Sequence, residues 1–161
     1  MNLHTRLVGI FAVALVIANA QQLAPNAPKD KPVSATAATL SEFEKAIAPH
    51  LEEAKKTYPE ARKRFLSGLP QKHYLFVTTR IKDPDGKFEQ VFIAVAVIDK
   101  EKKTVTGRIS NPLDVVRTFK RGQTITFAED EVLDWTISRP DGTEEGNYIG
   151  KFLDEYQKKK G

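Results

Sequence analysis

The chain has 161 residues, of which 40% are hydrophobic and 29% charged, and its formal net charge at pH 7 is +4. These proportions are ordinary for a globular domain, so they favour neither a disordered chain nor a fibrous repeat. The chain contains no cysteine, which excludes disulfides, a thiol nucleophile and a lipid-modified cysteine.

Residues 1–20 have the pattern of a cleavable secretion signal. Arg6 gives a basic start, residues 7–18 are continuously apolar, and Ala-Asn-Ala precedes a cleavage site expected between Ala20 and Gln21. The apolar run is too short to cross a membrane, which takes about 20 residues. No arginine pair precedes it, so the general export route is expected. We predict a periplasmic or extracellular bacterial protein without a transmembrane anchor in its mature form.

The mature chain is expected to begin with a flexible linker. Residues 21–39 contain Pro25, Pro28 and Pro32 and few large apolar side chains, so they cannot form a core. A single domain is predicted at residues 40–161.

Helical periodicity begins at Leu40. Ser41 and Glu44 have the spacing of a capping box, and apolar residues recur about every fourth position as far as Tyr58. Pro49 predicts a kink or a break. A second helix is expected at residues 60–67, after Pro59 and before a terminating Gly68.

The middle of the chain has the pattern of β-strands. Residues 73–81 and 88–98 are rich in β-branched and aromatic side chains and flank Asp-Pro-Asp-Gly at 83–86, which predicts a hairpin. Residues 91–98 contain no polar side chain, so this strand is expected at the centre of the sheet, covered on both faces. A third strand is predicted at residues 104–110.

The pattern then predicts a short helix. Asn111 and Pro112 have the order of an N-cap and a first helical residue, and Gly122 is expected to end the helix. Strands follow at residues 123–128 and around Trp135, whose side chain should face the core.

A final helix is expected after Asn147. The predicted class is α+β: an antiparallel sheet of about five strands with N-terminal helices, one short connecting helix and a C-terminal helix packed on it.

Several short motifs resemble the YegJ-like domain-of-unknown-function family 2314. The resemblance covers about residues 40–156 and implies a shared α+β fold, without an assigned activity, cofactor or catalytic residue. Its motifs are Ala54-Lys55, Tyr58-Pro59 and Phe65 upstream, then Gly107, Asn111-Pro112, Gly122-Gln123, Asp134-Trp135, Asp141-Gly142 and Glu145-Gly146-Asn147.

Catalytic and metal-binding patterns find little support. No Gly-x-Ser-x-Gly motif is present, and His50 and His73 are the histidines of the mature chain. No close set of ligands suits zinc, and residues 83–86 lack the rest of a calcium loop. We expect no metal and no cofactor.

Polar residues concentrate in residues 134–147. The candidate binding residues there are Asp134, Arg139, Asp141, Glu144, Glu145 and Asn147. They form either a shallow polar site for a ligand or a proton, or a set of caps and turns. We favour the second interpretation. Structural roles are expected for Gly107, Asn111, Pro112, Gly122, Trp135 and Gly146.

The favoured function is a noncatalytic binding module whose partner is a protein or another component of the bacterial envelope. One alternative is a small hydrolase that uses carboxylates near Asp134 and Glu145. The other is a weak polyanion or membrane-surface binder that uses the basic runs 62–64 and 158–160. Nucleic acid is not expected as a partner, because the basic residues are scattered among acidic ones.

Overall fold

The computed structural model describes residues 37–160 and, among their side chains, those of 44–156 and of Lys158. It contains one sheet of six antiparallel strands and two α-helices. The strand order is β4-β3-β2-β1-β5-β6. The elements are α1 (Ala37–Ser67), β1 (Tyr74–Lys82), β2 (Phe88–Asp99), β3 (Thr104–Ile109), β4 (Thr124–Ala128), β5 (Asp134–Ser138), β6 (Glu144–Gly146) and α2 (Tyr148–Lys160). The predicted α+β class is confirmed.

α1 is one helix that continues through Pro49 and Pro59. Ile47, Ala54 and Ala61 are buried along it, and their spacing of seven keeps them on one side of the helix. This continuous packing holds the helix together where the prolines remove hydrogen bonds. The prediction of a separate helix at 60–67 is therefore wrong.

The N-terminal end of α1 differs from the sequence prediction, whereas the C-terminal end agrees with it. The helix begins at Ala37, within the predicted linker, so Ser41 lies inside the helix and not at its N-cap. The predicted signal and the rest of the linker lie outside the described residues. At the other end Gly68 has a φ of +94°, and its N–H donates to the Phe65 carbonyl at 3.1 Å, as predicted for a C-terminal cap.

The predicted hairpin joins β1 to β2. Asp83 N–H donates to the Lys87 carbonyl and Gly86 N–H to the Asp83 carbonyl, at 2.8 and 2.9 Å. In the resulting register Phe76 lies opposite Ala94 and Lys82 opposite Phe88.

α1 packs on one face of the sheet, which we call the core face. The hydrophobic core between α1 and this face contains Ala61 of α1 and Val116 of the segment 111–123. From the sheet and the residues before β5 it contains Leu75, Val77, Ile81, Val91, Ile93, Ile98, Val105, Ile109, Val132, Trp135 and Ile137. Trp135 also donates from Nε1 to the Thr57 hydroxyl on α1 at 3.0 Å, which confirms its predicted inward orientation.

The opposite face is covered only in part. β2 is an interior strand, as predicted, but a register shift between Val95 and Val97 turns Val97 to this face, where it is 54% exposed. The prediction that β2 is covered on both faces is therefore wrong. Near β5 the same face is buried, with Phe76 and Thr136 almost inaccessible.

Gly107 allows β2 and β3 to approach closely. A Cβ at this position would collide with the Ala94 carbonyl and the Ile93 side chain. The expected structural role of Gly107 therefore has a direct steric cause.

Residues 111–123 contain no helix, so the predicted connecting helix is wrong. Glu89, at the start of β2, accepts the backbone N–H groups of Asp114, Val115 and Val116 at 3.0 to 3.2 Å. These N–H groups are therefore satisfied without helical hydrogen bonds.

Asp83 holds the next part of the same segment. Its carboxylate accepts the N–H groups of Arg117 and Thr118, at 2.8 and 3.0 Å, and the Thr118 hydroxyl. The Thr118 hydroxyl, followed by these two backbone groups, lowers the pKa of Asp83. Sequence analysis assigned Asp83 only to a hairpin turn and missed this second role.

Asn111 and Gly122 mark the two ends of this segment. Asn111 Oδ1 accepts the Phe92 N–H at 2.8 Å, so Asn111 ties the segment to β2. Gly122 has a φ of +82° and donates its N–H to the Ile109 carbonyl at 2.7 Å, where the chain enters β4. Pro112 is exposed between them.

The Glu89 carboxylate gives the first testable prediction. Glu89→Gln keeps the side-chain shape but removes one acceptor oxygen and turns an amide N–H₂ toward backbone donors. We expect the free energy of unfolding to fall by roughly 2–4 kcal/mol, measured by urea denaturation at pH 7. Glu101→Gln is the control, because Glu101 is exposed in the β2–β3 turn. Equal stabilities of the two variants would contradict the structural role of Glu89.

Candidate functional site

Asp134 lies at the first residue of β5 and is 1% exposed. Its Oδ2 accepts the N–H of Ile149 at 2.7 Å, and its Oδ1 accepts the N–H of Trp135 at 2.7 Å. Ile149 is the second residue of α2, where backbone N–H groups lack partners within the helix. Asp134 therefore caps α2 from a neighbouring strand.

Burial raises the pKa of Asp134 to about 6. The backbone N–H groups of Ile149, Trp135 and Tyr148, together with the charge of Lys151, favour the carboxylate and limit this rise. A raised pKa in a carboxyl group is a common feature of catalytic acids, but structural groups share it. Whether Asp134 is catalytic or structural therefore depends on which groups surround its carboxyl group.

Gly146 and Asn147 connect β6 to α2 beside Trp135. Gly146 has a φ of +78°, and a Cβ there would collide with the Trp135 carbonyl and indole. The Asn147 N–H donates to that carbonyl at 2.7 Å. Both residues thus fix the chain where α2 begins.

Asn147 directly precedes α2. Its backbone carbonyl accepts the Lys151 N–H at 3.0 Å, the first bond of the helix. It adopts a left-handed φ of +55°, and its Nδ2 donates to Glu144 Oε2 at 2.8 Å. Glu144 is therefore held by Asn147.

Glu145 lies between two arginines. Arg64 of α1 donates from Nη1 to Oε1 at 2.6 Å, and Arg139 donates from Nη2 to Oε2 at 2.9 Å. The Arg64 hydrogen bond is the main cause of the lowered pKa of Glu145, which burial opposes. The carboxylate links β6 to α1, a contact that sequence reasoning could not find because Arg64 lies far away in the chain.

Asp141 shapes the turn between β5 and β6. Its Oδ1 accepts the N–H and the hydroxyl of Thr143, at 2.9 and 2.7 Å. Arg139 donates to the same hydroxyl from Nη1 at 3.3 Å. These local bonds are those of an Asx turn.

The structure does not bring Asp134 and Glu145 together. Thr136 pairs with Gly146 and Ile137 with Glu145, and successive side chains of a strand alternate between faces. Asp134 shares the face of Thr136, whereas Glu145 shares the core face of Ile137. His73 lies before β1, with its Nδ1 3.0 Å from the Gln71 carbonyl. A concerted acid–base pair needs both groups within reach of one substrate.

A cleft of about 240 Å³ opens between α1 and the residues before β5. Its lining residues are Ala54, Lys55 and Tyr58 from α1 and Glu129, Asp130, Val132, Leu133 and Asp134 from the other side. Sequence analysis missed this cleft, because its two walls come from distant parts of the chain.

Glu129 is the central polar group of the cleft wall. It accepts hydrogen bonds from Arg62 Nε at 2.5 Å and from the Tyr58 hydroxyl at 3.1 Å. Burial, together with the Glu129 carboxylate, raises the pKa of Tyr58, and the hydrogen bond to Glu129 raises that of Arg62. The triad of Tyr58, Arg62 and Glu129 joins α1 to the short 3-10 helix Glu129–Glu131.

Ion pairs also neutralise two of the three cations in the basic run 62–64. Arg62 is paired with Glu129 and Arg64 with Glu145, which leaves the exposed Lys63 as the third member. At the other predicted basic run, Lys158 is exposed. A row of adjacent unpaired cations is therefore not formed at 62–64.

Residues 37–160 contain no group of three or more side chains that is arranged to hold a metal ion. In the same residues, neither helix combines the length and the apolar composition that a membrane crossing needs.

The raised pKa of Asp134 gives a prediction about pH and stability. The pKa of Asp134 is higher in the folded protein, about 6, than in the unfolded chain, where it is near 4. The protonated side chain therefore stabilises the folded state at pH values below 4, and this stabilisation is lost as the pH rises through about 6. Between pH 4 and pH 7 the loss amounts to roughly 2 kcal/mol. Asp134→Asn should therefore destabilise the protein more at pH 4 than at pH 7, as measured by urea denaturation.

Asp141→Asn is the control for this experiment. The hydrogen bonds of Thr143 lower the pKa of Asp141, so its removal should change the pH dependence in the opposite direction. Stability curves of the wild type and Asp134→Asn that run parallel from pH 4 to pH 7 would contradict the assignment.

Comparison with known proteins identifies the family but no relative of known function. No curated protein and no solved structure matches the chain. The family model described as "Uncharacterized protein conserved in bacteria (DUF2314)" matches residues 42–160, which contain the sheet, α2, most of α1 and every side chain of the candidate site. The chain therefore belongs to the DUF2314 family of bacterial proteins.

Proposed function

We propose that the protein is a noncatalytic binding module of the bacterial envelope. The polar residues that suggested catalysis have structural partners: Asp134 caps α2, and Glu145 joins β6 to two arginines. Their separation on opposite faces of the sheet argues against the hydrolase alternative. A binding function instead needs an accessible surface that the fold leaves uncovered.

The observation that carries the proposal is the exposure of Val97. Its side chain is 54% exposed although β2 is an interior strand of the sheet. Tyr74, 41% exposed, lies at the same end of this face, because Phe76 pairs with Ala94. We call the surface formed by Tyr74, Ala94, Val97 and Thr106 the open face. An apolar centre with a polar border is typical of a protein-binding surface.

The charges around the open face indicate the chemistry of the partner. Arg108 lies opposite Ala94 in the register, and Arg80 and Lys82 share the same face further along β1. Arg80 also stacks over the Phe88 ring at 4.6 Å. We therefore propose a protein partner whose contact surface is apolar at its centre and acidic at its border.

The proposed location rests on the N-terminal sequence alone. The apolar run at 7–18 and the small residues before Gln21 support export by the general route. In this proposal residues 21–36, with their prolines, connect the cleavage site to the domain.

The binding proposal is tested by capture from a periplasmic extract. Val97→Glu places a negative charge at the centre of the open face and should abolish recovery of the acidic-bordered partner that the wild type retains. Val115→Glu is the matched control, because Val115 is also exposed, at 40%, but lies in the segment 111–123. Thermal unfolding confirms that both variants are folded. Equal recovery by the two variants would contradict binding at the open face.

The location is tested separately by cell fractionation and mass spectrometry. The full-length gene product, expressed in a bacterial host, should be recovered outside the cytoplasm with Gln21 as its first residue. A cytosolic protein that retains Met1 would overturn the export proposal and leave the binding surface to be tested on its own.

A further inference from the structure

Among the described residues, 37–160, β4 forms one edge of the sheet, with β3 on one side and no strand on the other. Ile109 N–H donates to the Gln123 carbonyl, and Glu129 N–H donates to the Lys103 carbonyl. Inward hydrogen bonds alternate along an antiparallel ladder. The backbone groups of Ile125 and Phe127 therefore face β3, whereas those of Thr124, Thr126 and Ala128 face outward.

In the part of the chain that the structure describes, this edge has none of the usual protection against pairing. Natural proteins shield exposed edges with charges, prolines, bulges or very short strands. The five residues Thr-Ile-Thr-Phe-Ala contain neither charge nor proline, and the β3–β4 register is uninterrupted. The opposite edge differs, because β6 has three residues, two of them glutamates.

We propose that two copies of the chain associate by antiparallel pairing of their β4 strands, which makes the two sheets continuous. Thr126 lies on the twofold axis opposite the second copy's Thr126, and Thr124 lies opposite the second copy's Ala128. This register satisfies the outward backbone groups. It also places Ile125 opposite the second copy's Phe127, and both side chains are half-buried in one copy.

Charge complementarity selects a second copy as the occupant. In an antiparallel pair centred on Thr126, the residues before β4 of one copy approach the residues after β4 of the other. Lys120 and Arg121 thus lie near the second copy's 3-10 helix Glu129–Glu131, in which Asp130 and Glu131 are exposed. Twofold symmetry repeats this opposite-charge contact at the other end.

The chain's own residues 21–36 fit this edge less well. Pro25, Pro28 and Pro32 lack the N–H group that strand pairing requires. The dimer is also independent of the proposed partner, since the open face is centred on β2 and not on the edge of β4.

The dimer is tested by sedimentation equilibrium of the mature chain over a range of concentrations. The wild type should show a reversible monomer–dimer equilibrium. Thr126→Lys places two lysines opposite each other on the axis, and we expect its dissociation constant to rise about tenfold or more. A wild type that stays monomeric at every concentration would overturn the proposal.

Thr106→Lys is a closely matched control. Thr106 and Thr126 share one hydrogen bond of 2.8 Å between their hydroxyls on the same face, so both variants lose it and gain the same charge. Only Thr126 lies on the edge, and Thr106→Lys should dimerise like the wild type. Equal loss of dimer in both variants would overturn the β4 interface.

Charge reversal tests the register. Lys120→Glu and Glu131→Lys should each weaken the dimer, because each places like charges together. The double variant restores opposite charges and should recover most of the affinity. Amide exchange gives a residue-level check: the Thr126 N–H should become protected as the concentration rises, whereas the Ile125 N–H is protected in the monomer. Failure of the double variant to recover, with no protection of Thr126, would overturn the proposed register.

Discussion

Three buried carboxylates, those of Asp83, Glu89 and Asp134, anchor to the sheet those backbone segments that lack regular hydrogen bonds of their own. Each accepts two or more backbone N–H groups. A buried N–H without a partner is costly, and a carboxylate offers several strong acceptor positions at once. Irregular backbone can therefore lie against the sheet without a regular element of its own. The segment 111–123 and the start of α2 both depend on this arrangement.

The same use of carboxylates constrains the function. A carboxylate whose oxygens already accept from backbone N–H groups or from arginine side chains has little capacity left for a substrate. This holds for Asp134, which faces α2 and Trp135, and for Glu145, which lies between Arg64 and Arg139. The interaction surfaces that we propose are instead the open face around Val97 and the edge of β4. Both are properties of the sheet and not of the polar segment that stood out in the sequence.

The sequence predicts those features that depend on neighbouring residues. The β1–β2 hairpin follows from its Asp-Pro-Asp-Gly turn, and the inward orientation of Trp135 follows from strand alternation. The connecting helix fails because Asn111-Pro112 is only a local signal. The conformation of this segment is instead determined by Asp83 and Glu89, whose carboxylates accept backbone N–H groups 25 to 35 residues further along the chain. The cleft beside Tyr58 and Glu129 also joins distant segments, so no local pattern reveals it.

Asp83 and Asp134 have the same structural role but respond to pH in opposite ways. Hydrogen bonds from Thr118 lower the pKa of Asp83, so the stability that it provides is lost as the pH falls through that lowered value. Desolvation dominates at Asp134 and raises its pKa to about 6, so its contribution is greatest in acid. Acidification therefore weakens the anchoring of the segment 111–123 while the surroundings of Asp134 become more favourable.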